Sequence, residues 1–208
     1  MDKLAYFEKP QLAFTFSFCL LLSLSLGAQT VGQGVDQLVQ EAAAAAASGK
    51  LEESAELYKQ ALAKNSSNPA GWEALGSIYY EQGKYSESRD SLRRAVALDP
   101  AVSGAWARLG LAEYQVREYD RALQSLFRAR TLGIEEPTLS FRVSYHQAIL
   151  LSRFQQFEAG FMILFDLAYQ RPQDPGIVEG LGIAALQMPF LPEEVPPDRL
   201  ELVRMAGR

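Results

Sequence analysis

A self-match at a spacing of 34 residues constrains this chain more than any other feature of it. Trp72, Leu75, Gly76, Tyr80, Tyr85, Ser91, Leu92, Arg94, Ala95 and Leu98 recur as Trp106, Leu109, Gly110, Tyr114, Tyr119, Ser125, Leu126, Arg128, Ala129 and Leu132. Chance would supply about two identities over such a window at ordinary residue frequencies. A fixed period of this length denotes stacked helical hairpins. Within a unit, Trp72, Leu75, Tyr79 and then Ser88, Leu92, Ala95 fall three or four residues apart, which places them on one stripe of a helix. Gly83 separates the two stripes, where left-handed backbone is most easily adopted by glycine. Asp99-Pro100 closes the second helix, because proline disfavours helical geometry in the residue before it. Gly76 and Ser88 are small where the paired helices approach most closely, and larger side chains there would push the helices apart.

The unit resembles the tetratricopeptide repeat, whose signature runs Trp, Leu-Gly, Tyr, a small residue, an aromatic residue or Leu, Ala and a closing Pro. Residues 69–102 match it nearly throughout, with Ser88 for the usual Ala. Residues 103–136 match with Arg117 at the interhelix glycine and Ile134 at the final proline. Residues 35–68 keep Gly49-Lys50, Glu53-Ser54, Tyr58 and Ala61, and form a degenerate first repeat with Leu38 for Trp and Ala42 for Gly. Downstream, Phe157, Leu164, Leu167 and Pro172 fit only if Pro137 to Ser140 is an insertion, so the fourth repeat is 141–174. A degenerate or truncated fifth repeat, 175–208, carries Val178, Leu181 and Gly182 at signature positions. Pro189, Pro192, Pro196 and Pro197 interrupt it, a density that forbids a regular hairpin. An extended loop over 187–197 and a last helix from Pro197 or Asp198 are expected. The resemblance implies an all-α fold: a right-handed α–α superhelix, or solenoid, of stacked antiparallel helix pairs, each repeat burying its apolar face against its neighbours. Hydrophobic residues at 48% and charged residues at 22% suit such a packed domain.

The last helix would carry Leu200 and Val203 on one face and Leu202 and Met205 elsewhere, apolar on more than one side. Two arrangements fit. Further repeats follow residue 208 and cover these side chains, or the segment folds back over the fifth repeat as its lid.

At the other end, no charge falls between Lys9 and Asp36, and the apolar run Leu12 to Leu26 follows Lys3 and Lys9. That is the layout of a secretory signal over residues 1–28, with cleavage after the small residues around Ser25-Leu26-Gly27 or at Ala28, and a linker over 29–34. The same run, lengthened through Ala28 to Val35, would serve as an N-terminal membrane anchor. Export to the periplasm or secretion is expected, and membrane attachment only through this segment if it stays uncleaved. Cys19, the single cysteine, lies inside the run, so the mature domain has no disulfide and rests on packing. Phe18 before it departs from the small residue that a lipoprotein signal requires. The net charge of −5 gives no support for nucleic-acid binding.

Catalytic chemistry finds little to stand on. His146 is the single histidine, which leaves no Cys-His pair and no histidine cluster for a metal; it reads as a packing or groove residue. Glu52-Glu53, Glu135-Glu136 and Glu193-Glu194 fall in turns or at helix starts and read as solvated caps. Neither cofactor nor catalytic residue is expected, and the chain reads as no enzyme.

The resemblance implies where a partner would sit. In this family the first helix of each hairpin lines a concave groove through signature positions 2, 5, 9, 12 and 13. On this chain the groove set becomes Glu73, Ser77, Tyr80 and Glu81 in the second repeat, Ala107, Leu111, Tyr114 and Gln115 in the third, and Tyr145, Ile149 and Arg153 in the fourth. Members that hold a peptide carboxylate use Lys, Asn and Arg at positions 2, 5, 6 and 9; only Arg108 fits here. Tyr80 and Tyr114 either grip an extended peptide or helix through flat contacts or pack against adjacent helices. The expected function is a non-enzymatic scaffold or adaptor of the bacterial cell envelope, binding a peptide or helix of a protein partner. Alternatives are a membrane-anchored assembly factor and the N-terminal repeat part of a longer protein with an effector domain beyond residue 208.

Overall fold

The computed structural model describes residues 34–208. The leader over 1–28, Cys19 and the linker up to residue 33 lie outside the described residues. Residue 34 is already helical. Every regular element among the described residues is helical, and they group into two units, residues 34–66 and Ser67–Arg208.

The first unit is one hairpin of α1 (residues 34–47) and α2 (Leu51–Lys64). It buries Val35, Ala42 and Ala45 of α1 together with Ala55, Tyr58, Ala61 and Leu62 of α2. Ser54 donates through Oγ to the Ala42 carbonyl at 2.7 Å, tying the two helices where they cross.

The second unit holds α3 (Pro69–Glu81), α4 (Tyr85–Leu98), α5 (Ser103–Gln115), α6 (Tyr119–Leu132), α7 (Pro137–Arg153), α8 (Phe157–Gln170), α9 (Pro175–Ala185), a 3-10 turn at Pro192–Glu194 and α10 (Leu200–Ala206). Proline stands in the first turn of α3, α7 and α9, where its missing N–H costs nothing. Asn68 and Asp174 cap α3 and α9 through their side chains.

Each hairpin turns on one residue with positive φ: Gly49 at 74°, Gly83 at 73°, Arg117 at 63°, Gln155 at 61° and Gln187 at 52°. At each, the next residue's N–H returns to a carbonyl five positions before it, as in Lys84 to Tyr79 and Glu118 to Glu113, both 2.9 Å. That is the Schellman closure, which satisfies helix-end carbonyls and needs left-handed backbone. The turn is therefore kept where glycine is not, at a cost of about 1–2 kcal/mol per non-glycine residue.

The close approach expected of Gly76 is present. A Cβ there would lie 2.5 Å from Leu92 Cγ, and one at Gly110 would lie 2.7 Å from Leu126 Cγ. Ser88, in the position of the usual Ala, is buried with its Oγ donating to the Gly76 carbonyl at 2.7 Å. The hydroxyl thus repeats the Ser54 arrangement and is itself paired.

α7 has 17 residues against 13 in α3 and α5. The four residues at 137–140 form an added first turn of helix. Beyond α9, the proline-rich stretch is not simply extended: the 3-10 turn lies within it, and Leu191 is fully buried. α10 begins at Leu200, two to three residues later than expected, and packs back on α9. Val203 is buried there, the Arg204 guanidinium donates twice to Glu179 Oε1 at 2.9 and 2.8 Å, and Leu202 and Met205 are exposed.

Candidate functional site

The first helices of the hairpins form one layer within the second unit: α5 packs against α3 and α7, and α7 against α9. Their shared face is where the groove residues were expected. The structure divides that set into an open part and a covered part.

The open part is a cleft of about 180 Å3 between α3, α5 and α7, lined by Ser77, Tyr80, Glu81, Arg108, Leu111, Glu136, Thr138, Leu139 and Arg142. Arg108 Nη1 donates to Glu73 Oε1 at 3.0 Å, and its Nη2 lies 3.5 Å from Glu136. Arg142 donates to the Tyr80 hydroxyl at 3.0 Å and sits 5.4 Å above the Tyr80 ring. Arg142 forms no ion pair among the described residues. Ser77 donates to the Glu73 carbonyl of its own helix. Glu81 and Gln115 are exposed at the rim of the layer. The Arg108 guanidinium is thus taken by Glu73 and Glu136, and the cleft presents that of Arg142 beside an aromatic ring and a small apolar floor, a combination suited to a carboxylate with an apolar neighbour.

The covered part lies over α5, α7 and α9. Ala107, Leu111, Tyr114 and Ile149 were expected to face a groove, yet they are buried in one cluster with Val143, Leu150 and Leu191. The cluster also holds Ala122, Leu126 and Ala129 of α6, and Leu191 joins it from the proline-rich segment. Glu193 Oε1 accepts from the Tyr114 hydroxyl at 2.8 Å, and Glu194 pairs with Arg153. Glu194 also accepts from the Leu191 N–H at 3.1 Å, so the 3-10 turn holds its own carboxylate in place. Arg153 stacks 4.8 Å over the Tyr119 ring. Tyr145 is half-buried, and burial first, then Glu193, pushes its hydroxyl up to about 12. The Tyr114 hydroxyl is raised by the same two causes, so it stays a donor.

For Tyr114, packing is the outcome, because a segment 79 residues downstream covers it. Tyr80, at the same signature position one repeat earlier, remains beside the cleft. Glu193 and Glu194 are exposed, and Glu194 caps the 3-10 turn as expected, but each also takes a side-chain partner on the helix layer. His146 packs between Tyr114 and Tyr145, with ring centroids at 4.8 and 5.3 Å, and its Nδ1–H donates to the Arg142 carbonyl at 2.7 Å. Burial lowers its pKa and keeps it neutral. Arg142 and Thr138 were missed. Thr138 lies in the four added residues 137–140, and Arg142 holds signature position 2 of the fourth repeat, the signal that could have found it. Glu113 was missed as well: nearly fully buried, it accepts from Ser125 Oγ at 2.6 Å and from Arg93 at 2.9 Å, and Arg93 reaches Glu118 at 2.5 Å. Burial would raise the Glu118 carboxyl, but hydrogen bonds from Arg93 and Arg121 outweigh it and hold the group low. This network ties α4, α5 and α6 and faces no cleft residue. Among the described residues no cluster of His, Cys, Asp or Glu is placed to hold a metal, and no helix is long and apolar enough to cross a membrane.

A family model described as tetratricopeptide repeat matches residues 39–103 and 75–136. Together with the hairpin geometry, this makes the chain a tetratricopeptide-repeat protein. The solved structures agree on the superhelical fold. MamA is 18% identical with a TM-score of 0.67, the match covering 85% of this chain and 91% of that one. YrrB, described as a TPR protein with an unusual peptide-binding site, is 18% identical with a TM-score of 0.66, covering 81% and 82%. The first TPR of Spaghetti (RPAP3), bound to the HSP90 peptide SRMEEVD, is 19% identical with a TM-score of 0.51, covering 55% and 90%. No curated protein matches the sequence.

Proposed function

We propose that this protein is a non-enzymatic interaction scaffold that holds a peptide segment of a protein partner against the α3–α5–α7 cleft. The observation that carries this reading is Arg142: a guanidinium with no ion pair among the described residues, hydrogen-bonded to and stacked on Tyr80 beside Arg108, in an open cleft of the helix layer. A carboxylate in the bound segment would pair with Arg142, and a neighbouring apolar side chain would meet Leu111 and Leu139. Similar folds that bind peptides, such as the Spaghetti repeat with its HSP90 peptide, support the class of ligand. The location we propose is the cell envelope, reached by export, on the strength of Lys3 and Lys9 ahead of the apolar run at Leu12 to Leu26.

A random peptide library panned against the purified protein tests the binding reading. Enriched peptides should carry an acidic residue, and Arg142→Ala should weaken them at least tenfold with the thermal midpoint unchanged. Peptides indifferent to both Arg108→Ala and Arg142→Ala would refute the cleft. Mass spectrometry of the natural product tests export: a terminus near Ala28 or Gln29 supports it, and an intact Met1 overturns cleavage.

A further inference from the structure

The segment over α5, α7 and α9 is held as a ligand would be held. Leu191 is fully buried in the cluster that holds Tyr114 and Ile149, while Glu193 accepts from the Tyr114 hydroxyl and Glu194 pairs with Arg153. Neither carboxylate is buried, so the anchor is apolar and the carboxylates set register along the face. Pro189, Pro192, Pro196 and Pro197 limit the segment's backbone freedom, which lowers the entropy lost on docking. None of these contacts belongs to the repeat pattern. The helix layer would keep its hairpin crossings without them.

We propose that the α5–α7–α9 part of this face is a second peptide-binding site, for a partner segment bearing an aliphatic side chain followed at the second and third positions by carboxylates, and that residues 190–195 occupy it in cis as the competitor. The proposal rests on reading the first-helix face as peptide-binding, but it concerns a different stretch of that face. An external segment gains access only in the fraction of molecules whose strap is released, so its apparent affinity is reduced by that fraction. Strap and ligand then share one chemistry, Leu191-x-Glu193-Glu194.

The test uses the full chain and a fluorescent peptide of the sequence of residues 188–197, blocked at both ends. The double variant Glu193→Gln/Glu194→Gln weakens the strap without touching its apolar anchor, and both side chains are exposed, so folding is retained. It should bind the peptide at least tenfold more tightly than the wild type. Leu191→Ala is a second opening variant, read only if its thermal midpoint shows a folded protein. Replacing both glutamates of the probe by glutamine, or Arg153→Ala in the double variant, should weaken binding at least tenfold, and Arg108→Ala should leave it unchanged. Equal affinities of wild type and double variant overturn the proposal, as does indifference to Arg153. A loss with Arg108→Ala instead assigns the probe to the upstream cleft, which refutes this site and leaves the proposed function standing.

Discussion

Gly182→Ala is the sharpest probe of how the C-terminal end is held. A Cβ at this position would sit 1.8 Å from the Val203 carbonyl oxygen and 2.7 Å from its carbon. Both are backbone atoms, so no rotamer change relieves the clash and α9 and α10 must separate by more than about 1 Å. Helix propensity favours alanine by about 1 kcal/mol. Against this, releasing α10 re-exposes Val203, worth about 1.5–3 kcal/mol, and loses the half-exposed Arg204–Glu179 pair, about 0.2–1 kcal/mol. The net cost is about 1–3 kcal/mol, and it falls on α10 because nothing in α3 to α6 touches the site. Hydrogen exchange should show the amides of Leu200–Ala206 opening at least fivefold faster, the factor that about 1 kcal/mol sets, with α3–α6 protection unchanged. Gly110→Ala is the contrast: its Cβ meets Leu126 Cγ and Cδ2 at 2.7 Å in the core, so its cost of about 1–3 kcal/mol is shared by the whole unit and lowers the global midpoint. Unchanged α10 protection in Gly182→Ala, or a raised midpoint, would refute the packing argument.

The hairpin turns give a paired prediction: Arg117→Gly should stabilise by about 1 kcal/mol and Gly83→Ala should destabilise by a similar amount, because both sites need left-handed backbone and a Cβ at Gly83 would touch nothing within 4 Å. Urea denaturation checks it, and changes of the same sign in both variants would sink the backbone explanation. His146 supplies a pH dependence. Its folded pKa lies below 6.5, so the unfolded chain binds the extra proton and stability falls as pH drops from 6.5 toward the folded value, with a slope of at most about 1.4 kcal/mol per unit. The Arg142 carbonyl and Glu193 favour the charge and the Arg142 guanidinium disfavours it, but burial outweighs them; Tyr114 and Tyr145, which also pack against the ring, stay protonated throughout this range. His146→Gln should flatten the slope between pH 7 and 5, and an unchanged slope would place the titration elsewhere.

Amino-acid order alone determined the hairpins. The interval between Trp72 and Trp106, the small residues at Gly76 and Ser88 and the break at Gly83 are contacts within a repeat or between neighbours, so their requirements recur with the period and can be read without coordinates. Even Arg117 was legible as the turn residue, since its position in the period implied a conformation its side chain disfavours. The tertiary structure decided which groove residues stay open. Tyr80 and Tyr114 hold the same signature position, yet Tyr80 borders a cleft and Tyr114 is covered by Glu193 and Leu191. Arg142 holds signature position 2 of the fourth repeat, but only the folded chain sets its guanidinium on Tyr80 of α3. These outcomes come from pairings that occur once and join positions far apart along the chain, and a periodic sequence carries no signal for a contact that does not repeat.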